Sequence, residues 1–394
     1  MPETVTVHFA TNREEIRKRG AITGFGTRPH QSSALWLRYG AAEMKPGRDG
    51  FSLAELRVAE ERLSDGAGVP PDTIKLGSDS VFDGLRQRMT SNRADLVTLI
   101  HGFACTFENA LANAAELKAG LGTAELPIET AVFSWPSDGQ LFPFWAAYYA
   151  DRKDARDAAR KVIKALREQE LAKPEPDPRR LRQIESEPLI GNVTMRDDGR
   201  AAAKPVERAL LRLRGYLRDL PSEDACRRNL HLVAHSMGNY VLRNTLQALI
   251  SDLGERRLPR LFKNIFLMAA DEDDDAFEHA DKFARLPELA DAVHVYFARN
   301  DRALTISDVT KGNRDRLGSA GPRNLAALPQ KVVLVDCTDV SDVPGVSDVR
   351  HQYYRARPEV LADVQAVLRG TPPHEIANRE WVPQRSCWRI KPAG

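Results

Sequence analysis

The sequence predicts an α/β chain: a central, mostly parallel sheet with helices on both faces. Two observations predict it. Short apolar runs of strand length recur along the chain, and segments with helical spacing separate most of them, as happens when each strand rejoins the sheet through a crossover helix. The clearest run, Asp95-Leu-Val-Thr-Leu-Ile100, is apolar almost throughout rather than alternating, as a strand buried on both faces is. At 394 residues, 42% hydrophobic and 28% charged, the chain has room for one large domain of this kind, expected over residues 1–370 with a C-terminal tail over 371–394.

Taken in order, residues 5–10 alternate and read as a first strand running into Thr11-Asn12-Arg13, and residues 34–39 read as a second. The turn residues of 44–50 read as a loop, and 51–92 yields only a helix near 79–89. Strand 95–100 ends in His101-Gly102-Phe103, and a helix over 106–118 follows, with Phe107, Leu111, Ala114 and Leu117 on one face. Residues 127–135 form another strand. The aromatic stretch 141–149 either lines a binding pocket or buries its rings against the sheet. A charged helical run over 151–170 breaks at Lys173-Pro-Glu-Pro. The polar stretch 171–204 carries no strand pattern and reads as an insertion, a loop or partial cap. A helix over 205–217 directs Leu210, Leu213 and Leu217 to the core. Further strands are expected at 264–270, 292–298 and 331–336, and the tail, with Trp381 and Trp388, as a surface appendage. There is no internal repeat.

Composition excludes several function classes. A net charge of +2, from 57 basic and 55 acidic residues, supplies no electrostatic footprint for nucleic acid or an acidic membrane surface. Cys105, Cys226, Cys337 and Cys387 are scattered without a C-x-x-C pair, which favours a reducing compartment over a disulfide framework or zinc site. The first residues lack a basic region followed by an apolar one, so no secretory signal is expected. No apolar run approaches the roughly 20 residues of a membrane span, and a cytoplasmic location is expected.

The chemistry concentrates in Asn229-Leu-His-Leu-Val-Ala-His-Ser-Met-Gly238, a strand turning sharply into a helix with Ser236 at the apex. Small residues two before and two after the serine allow strand and helix to approach closely, and the Met237 N–H then lies at a helix N-terminus, ready for an oxyanion. The G-x-S-x-G pattern holds except that Ala234 replaces the first glycine. The alternative reading of Ser236 is an ordinary helix N-cap. A serine nucleophile needs an imidazole, and the imidazole a carboxylate. Asp301, where strand 292–298 ends, is preferred as the acid over Asp271, which begins the acidic run 271–275 after the preceding strand; that run reads as a solvated loop rather than a metal site. His351, in a polar loop before the helix over 358–368, is the expected base. His374 reads as exposed, His231 and His294 as sheet residues, and His235 as turned elsewhere. The His101-Gly102 turn places a second oxyanion donor at the Phe103 N–H and leaves His101 structural.

These residues in this order carry a resemblance. The chain resembles the bacterial α/β-hydrolases of the esterase/lipase superfamily grouped as domain of unknown function 900. The resemblance rests on Phe9-Ala-Thr-Asn-Arg13, Ile100-His-Gly-Phe103 with Phe107-Glu108, Phe133-Ser-Trp-Pro136, Ala234-His-Ser-Met-Gly238, Asn300-Asp-Arg-Ala-Leu304 and His351. It implies the α/β-hydrolase fold, with Ser236, Asp301 and His351 as a triad. The reading that follows is a serine hydrolase acting on a small-molecule or lipid ester, with no metal or organic cofactor. The alternatives are acyl transfer through the same residues and a non-catalytic interaction protein on a hydrolase fold.

Overall fold

A computed structural model describes residues 4–30, 37–48, 50–59, 77–137, 203–218, 227–254, 258–304, 315–342 and 350–393. Its strands are β1 (Val5–Thr11), β2 (Arg13–Lys18), β3 (Ala21–Pro29), β4 (Arg38–Gly47), β5 (Gly50–Ala59), β6 (Asp95–Ile100), β7 (Ile128–Ser134), β8 (Leu230–His235), β9 (Phe262–Met268), β10 (Ala290–Phe297), β11 (Val332–Asp336), β12 (Arg379–Val382) and β13 (Cys387–Ile390). The main helices are α1 (Gly77–Ser91), α2 (Phe107–Leu121), α3 (Ala203–Arg218), α4 (Gly238–Leu253) and α5 (Pro358–Leu368).

Eleven strands form one sheet in the order β12-β13-β11-β10-β9-β8-β6-β7-β1-β4-β5. Every pair from β13 to β1 is parallel, and antiparallel strands finish both edges. The pleat delivers alternate residues to two cores: Leu96 and Ile100 of β6 to one, Val97 and Leu99 to the other. The first core receives Leu85 and Met89 of α1, Val206, Leu210 and Leu213 of α3, and Leu242 and Leu246 of α4. The second receives Phe107, Leu111 and Leu117 of α2 and Val360 and Val364 of α5. That two-sided demand is why β6 reads as a continuous apolar run. α2 shows the local logic. Thr106 caps it through the Asn109 N–H at 3.1 Å, Glu108 and Lys118 sit at the ends their charges favour, and its buried residues recur every three or four positions.

One topological feature positions the site. From β6 the chain moves outward to β7, then crosses back to place β8 on the other side of β6. The crevice outside the carboxyl ends of β6 and β8 is therefore a switch point, where ligands of such sheets bind.

Two expectations need correction, and two elements lie where none was expected. The 44–50 stretch is mostly strand: β4 runs through Gly47 and β5 starts at Gly50 (φ +110°), with Pro46 tolerated because β4 pairs with β1 only as far as Val5↔Met44. The unreadable stretch after residue 50 begins with β5. The β2–β3 hairpin was not foreseen, because Glu14-Glu15-Ile16-Arg17-Lys18 lacks an alternating apolar face; its turn is made by Arg19 (φ +49°) and Gly20 (φ +85°), both left-handed as a tight hairpin requires. The tail is no appendage, since β13 pairs with β11 through Val335↔Trp388 and Asp336↔Arg389 and carries β12 with it. Trp381 and Trp388 face each other across that last pair, ring centroids 5.0 Å apart. The aromatic stretch, the charged run and the 171–204 insertion as far as residue 202 lie outside the described residues. Among the described residues no helix is long and apolar enough to cross a membrane, and no group of three or more His, Cys, Asp or Glu is arranged to hold a metal ion.

Candidate active site

The serine turn is tight for reasons visible atom by atom. A Cβ on Gly238 would lie 2.3 Å from the Ile100 carbonyl oxygen and 2.7 Å from that of His101, so α4 can start against β6 only with glycine there. Ala234, two residues before the serine, is fully buried. Ser236 itself has φ +53°, a left-handed backbone costing a non-glycine residue on the order of 1–3 kcal/mol. Backbone pairing offsets that cost. The Ser236 N–H donates to Met268 O (2.9 Å), and its carbonyl accepts from the Asn239 and Asp271 N–H groups (3.0 and 3.2 Å) and from Asn239 Nδ2 (3.0 Å).

The residues expected as acid and base meet. Asp301, completely buried just beyond β10, takes the Leu304 N–H on Oδ1 at 3.1 Å and the His351 ring on Oδ2, with Nδ1 at 2.7 Å. Burial raises the Asp301 carboxyl, while His351 and the Leu304 and Ala303 amides pull the other way. Burial alone would lower His351, but Asp301, and Asp271 from further off, raise it above the ordinary imidazole value. The bond to Asp301 settles the tautomer: Nδ1 carries the proton and Nε2 offers the lone pair. Asp271 reaches the Ser236 carbonyl through its backbone N–H and lies 3.8 Å from Arg316 Nε. The acidic run is ion-paired rather than merely solvated. Lys282 bonds Asp273 at 2.9 Å and also Asp275, Arg316 holds Asp273, and Arg243 holds Glu272 at 2.9 Å. His374 is exposed, and His231 and His294 are buried in β8 and β10, joined through Asn264 by hydrogen bonds of 3.1 Å.

The turn after β6 faces this centre. A Cβ on Gly102 would lie 2.9 Å from Ser236 Cβ, so the two turns are in contact. The His101 ring is fully buried, stacked on Trp135 with centroids 5.2 Å apart, and its pKa is pushed down to about 3 by burial and by Arg13. It is therefore neutral, with the proton on Nδ1, which donates to Gly102 O at 2.7 Å. Because a trans peptide points its C=O and N–H in opposite directions, capturing Gly102 O turns the Phe103 N–H away from His101. Among the described residues, neither the Phe103 nor the Met237 amide donates to a protein acceptor.

The sequence profile of a family described as "Alpha/beta hydrolase of unknown function (DUF900)" matches residues 78–175 and 198–369. The chain belongs to this family. No curated protein and no solved structure matches it significantly. The match to the DUF900 profile starts after the N-terminal strands, so Phe9–Arg13 lies outside it, and its break falls within the 171–204 stretch.

Two side chains of this DUF900 chain were not recognised from sequence as part of the site. Arg13, fully buried, donates from Nε to Ser134 Oγ (2.9 Å), from Nη1 to Ser137 O (2.9 Å) and Gly26 O (3.1 Å), and from Nη2 to Cys105 O (2.7 Å). It ties the β7 end and the β2–β3 hairpin to the loop that carries Phe103. Its signal was its place in the Phe9–Arg13 motif, but nothing local ties that motif to residue 105. His235 was expected to turn elsewhere; its ring instead packs on that of His351, with centroids 4.7 Å apart.

Proposed function

We propose that this DUF900 chain is a serine hydrolase that cleaves carboxylic esters. Ser236 Oγ attacks the ester carbonyl as His351 Nε2 takes its proton, while Asp301 holds Nδ1–H and stabilises the imidazolium. The Phe103 and Met237 N–H groups bind the oxyanion of the tetrahedral intermediate. His351 then returns the proton to the leaving alkoxide, giving the alcohol and an acyl-Ser236. Water, deprotonated by His351, attacks that acyl group, and collapse of the second intermediate releases the acid and restores Ser236. The observation that carries this reading is the 2.7 Å bond between His351 Nδ1 and buried Asp301, with the His351 ring packed on that of His235, the residue preceding Ser236 at its left-handed turn (φ +53°). Ester rather than amide chemistry follows from the company this fold keeps, an argument by analogy.

The test is fluorophosphonate labelling together with turnover of p-nitrophenyl esters of graded chain length. Labelling at Ser236 and hydrolysis lost on Ser236→Ala are expected. A folded wild-type protein that neither labels nor hydrolyses any ester in the series would sink the proposal in favour of a non-catalytic role.

A further inference from the structure

We propose that His235 is a positioning residue that braces the base loop against the nucleophile turn, through a hydrogen bond from its Nε2–H to the backbone carbonyl of His351. This rests on the serine-hydrolase reading above.

The geometry places His235 between three parts that must keep register. Its Nε2 lies 3.1 Å from His351 O. Its ring stacks on Tyr354 (centroids 4.2 Å apart, planes at 23°) and leans on the His351 ring at 49°. Its Nδ1 would lie 3.0 Å from a Cβ on Gly102, so the ring also fills the space behind the Phe103 loop. His235 is 4% exposed, and burial, followed by the neighbouring His351, keeps it neutral. A carbonyl partner needs a donor, so the single proton sits on Nε2. Neutrality matters because His351 becomes an imidazolium during the reaction, and a second cation one ring away would oppose it.

The base needs such a brace. His351 lies outside strand and helix, between Arg350 (φ +50°) and a single helical turn, Tyr353–Ala356. Asp301 fixes its ring at Nδ1, but one hydrogen bond leaves the ring free to swing about that point. Holding the carbonyl as well anchors His351 at both ends. The second anchor comes from the residue covalently joined to Ser236. Any drift of the serine turn therefore carries the base loop with it and preserves the distance between nucleophile and base. That distance is where small errors are expensive, a misplacement of about 1 Å costing about 10²-fold in rate.

Two substitutions separate the hydrogen bond from the packing. His235→Phe keeps the ring on Tyr354 and removes the donor; His235→Gln removes the ring and keeps an amide N–H of similar reach. The expected result is a loss of about 10²-fold in kcat for Phe, with KM within about twofold, and a Gln variant within about tenfold of wild type. Second-order rates of fluorophosphonate inactivation should follow the same order. Equal rates for all three proteins, or Phe outperforming Gln, would overturn the brace while leaving the hydrolase reading intact. A wild type inert to the probe would remove the hydrolase reading, and the brace's catalytic role with it. The tautomer is a check independent of variant folding: ¹⁵N histidine shifts of the wild type should show His235 neutral with the proton on Nε2 at pH 7. A proton on Nδ1 would overturn the proposal whatever the variants do.

Discussion

Asp301 has no solvent exposure, and its Oδ2 receives the His351 Nδ1–H at 2.7 Å, whereas Asp271 interacts with Ser236 through its backbone N–H. Asp301→Asn should therefore lower kcat by about 10⁴-fold, because asparagine favours the wrong imidazole tautomer. Asp271→Asn should cost far less. Steady-state kinetics on one p-nitrophenyl ester decide it, and the opposite ranking would move the acid to the end of β9.

The raised pKa of His351 also sets a direction in pH. In the proposed mechanism His351 works only when neutral, so kcat/KM should fall as pH drops through a pKa above the ordinary imidazole value of 6.5. Asp301→Asn should shift that acid limb downward by removing the charge that raises it. A wild-type limb below 6.5 would contradict the electrostatics described for the site.

Gly238 should tolerate no side chain. In Gly238→Ala the new methyl would meet two backbone carbonyl oxygens of the β6 end at 2.3 and 2.7 Å, and backbone has no rotamer in which to yield. A destabilisation of about 1–3 kcal/mol is expected from urea unfolding, with most activity lost as Met237 and Ser236 shift away from the Phe103 loop. Normal stability and normal turnover together would show that the contact is easily relieved.

Three buried histidines predict a weakness to mild acid. Burial lowers His8 to about 4 and His101 and His294 to about 3, below the 6.5 they regain when unfolded. Between those values the unfolded chain binds more protons than the native one. The contribution of these three groups is therefore fully present above pH 6.5 and is lost as pH drops toward 4, by up to about 1.4 kcal/mol per pH unit for each group. Melting temperatures across pH 7.5 to 4.5 should decline steadily; a flat profile would mean the native state accommodates the protonated rings.

The C-terminal strands should be integral to stability. Arg379 of β12 donates from Nε and Nη2 to both oxygens of Asp363 on α5, at 2.6 and 2.8 Å, and both side chains are fully buried. Tyr296 of β10 donates to the same carboxylate at 2.5 Å. Arg379→Met would leave the Asp363 carboxylate without its cation, a loss of about 3–5 kcal/mol by denaturant unfolding. The double variant Arg379→Met, Asp363→Leu should recover much of it. No loss on the single substitution would show the tail to be dispensable.

What the sequence determined by itself was local or strictly ordered along the chain. Runs such as 95–100 and 230–235 announce doubly buried strands, and the small residues around Ser236 announce a tight turn, because both demands fall on neighbouring positions. The order of serine, strand-end aspartate and late histidine is likewise a property of the chain; that Asp301 and His351 share a hydrogen bond is a property of the fold. The tertiary structure decided what depends on partners distant in sequence. β12 and β13 are four residues each, too short to show a pattern, and become strands because the β11 edge is open to them. The β2–β3 hairpin is charged at every position of its first strand but Ile16 and owes its form to turn and pairing. His235 belongs to the site only because residue 351 returns to it across 116 positions, and Arg13 because residue 105 and the β7 end close around its guanidinium. A hydrogen bond between segments so far apart leaves no periodicity in either one, so only the folded chain reveals it.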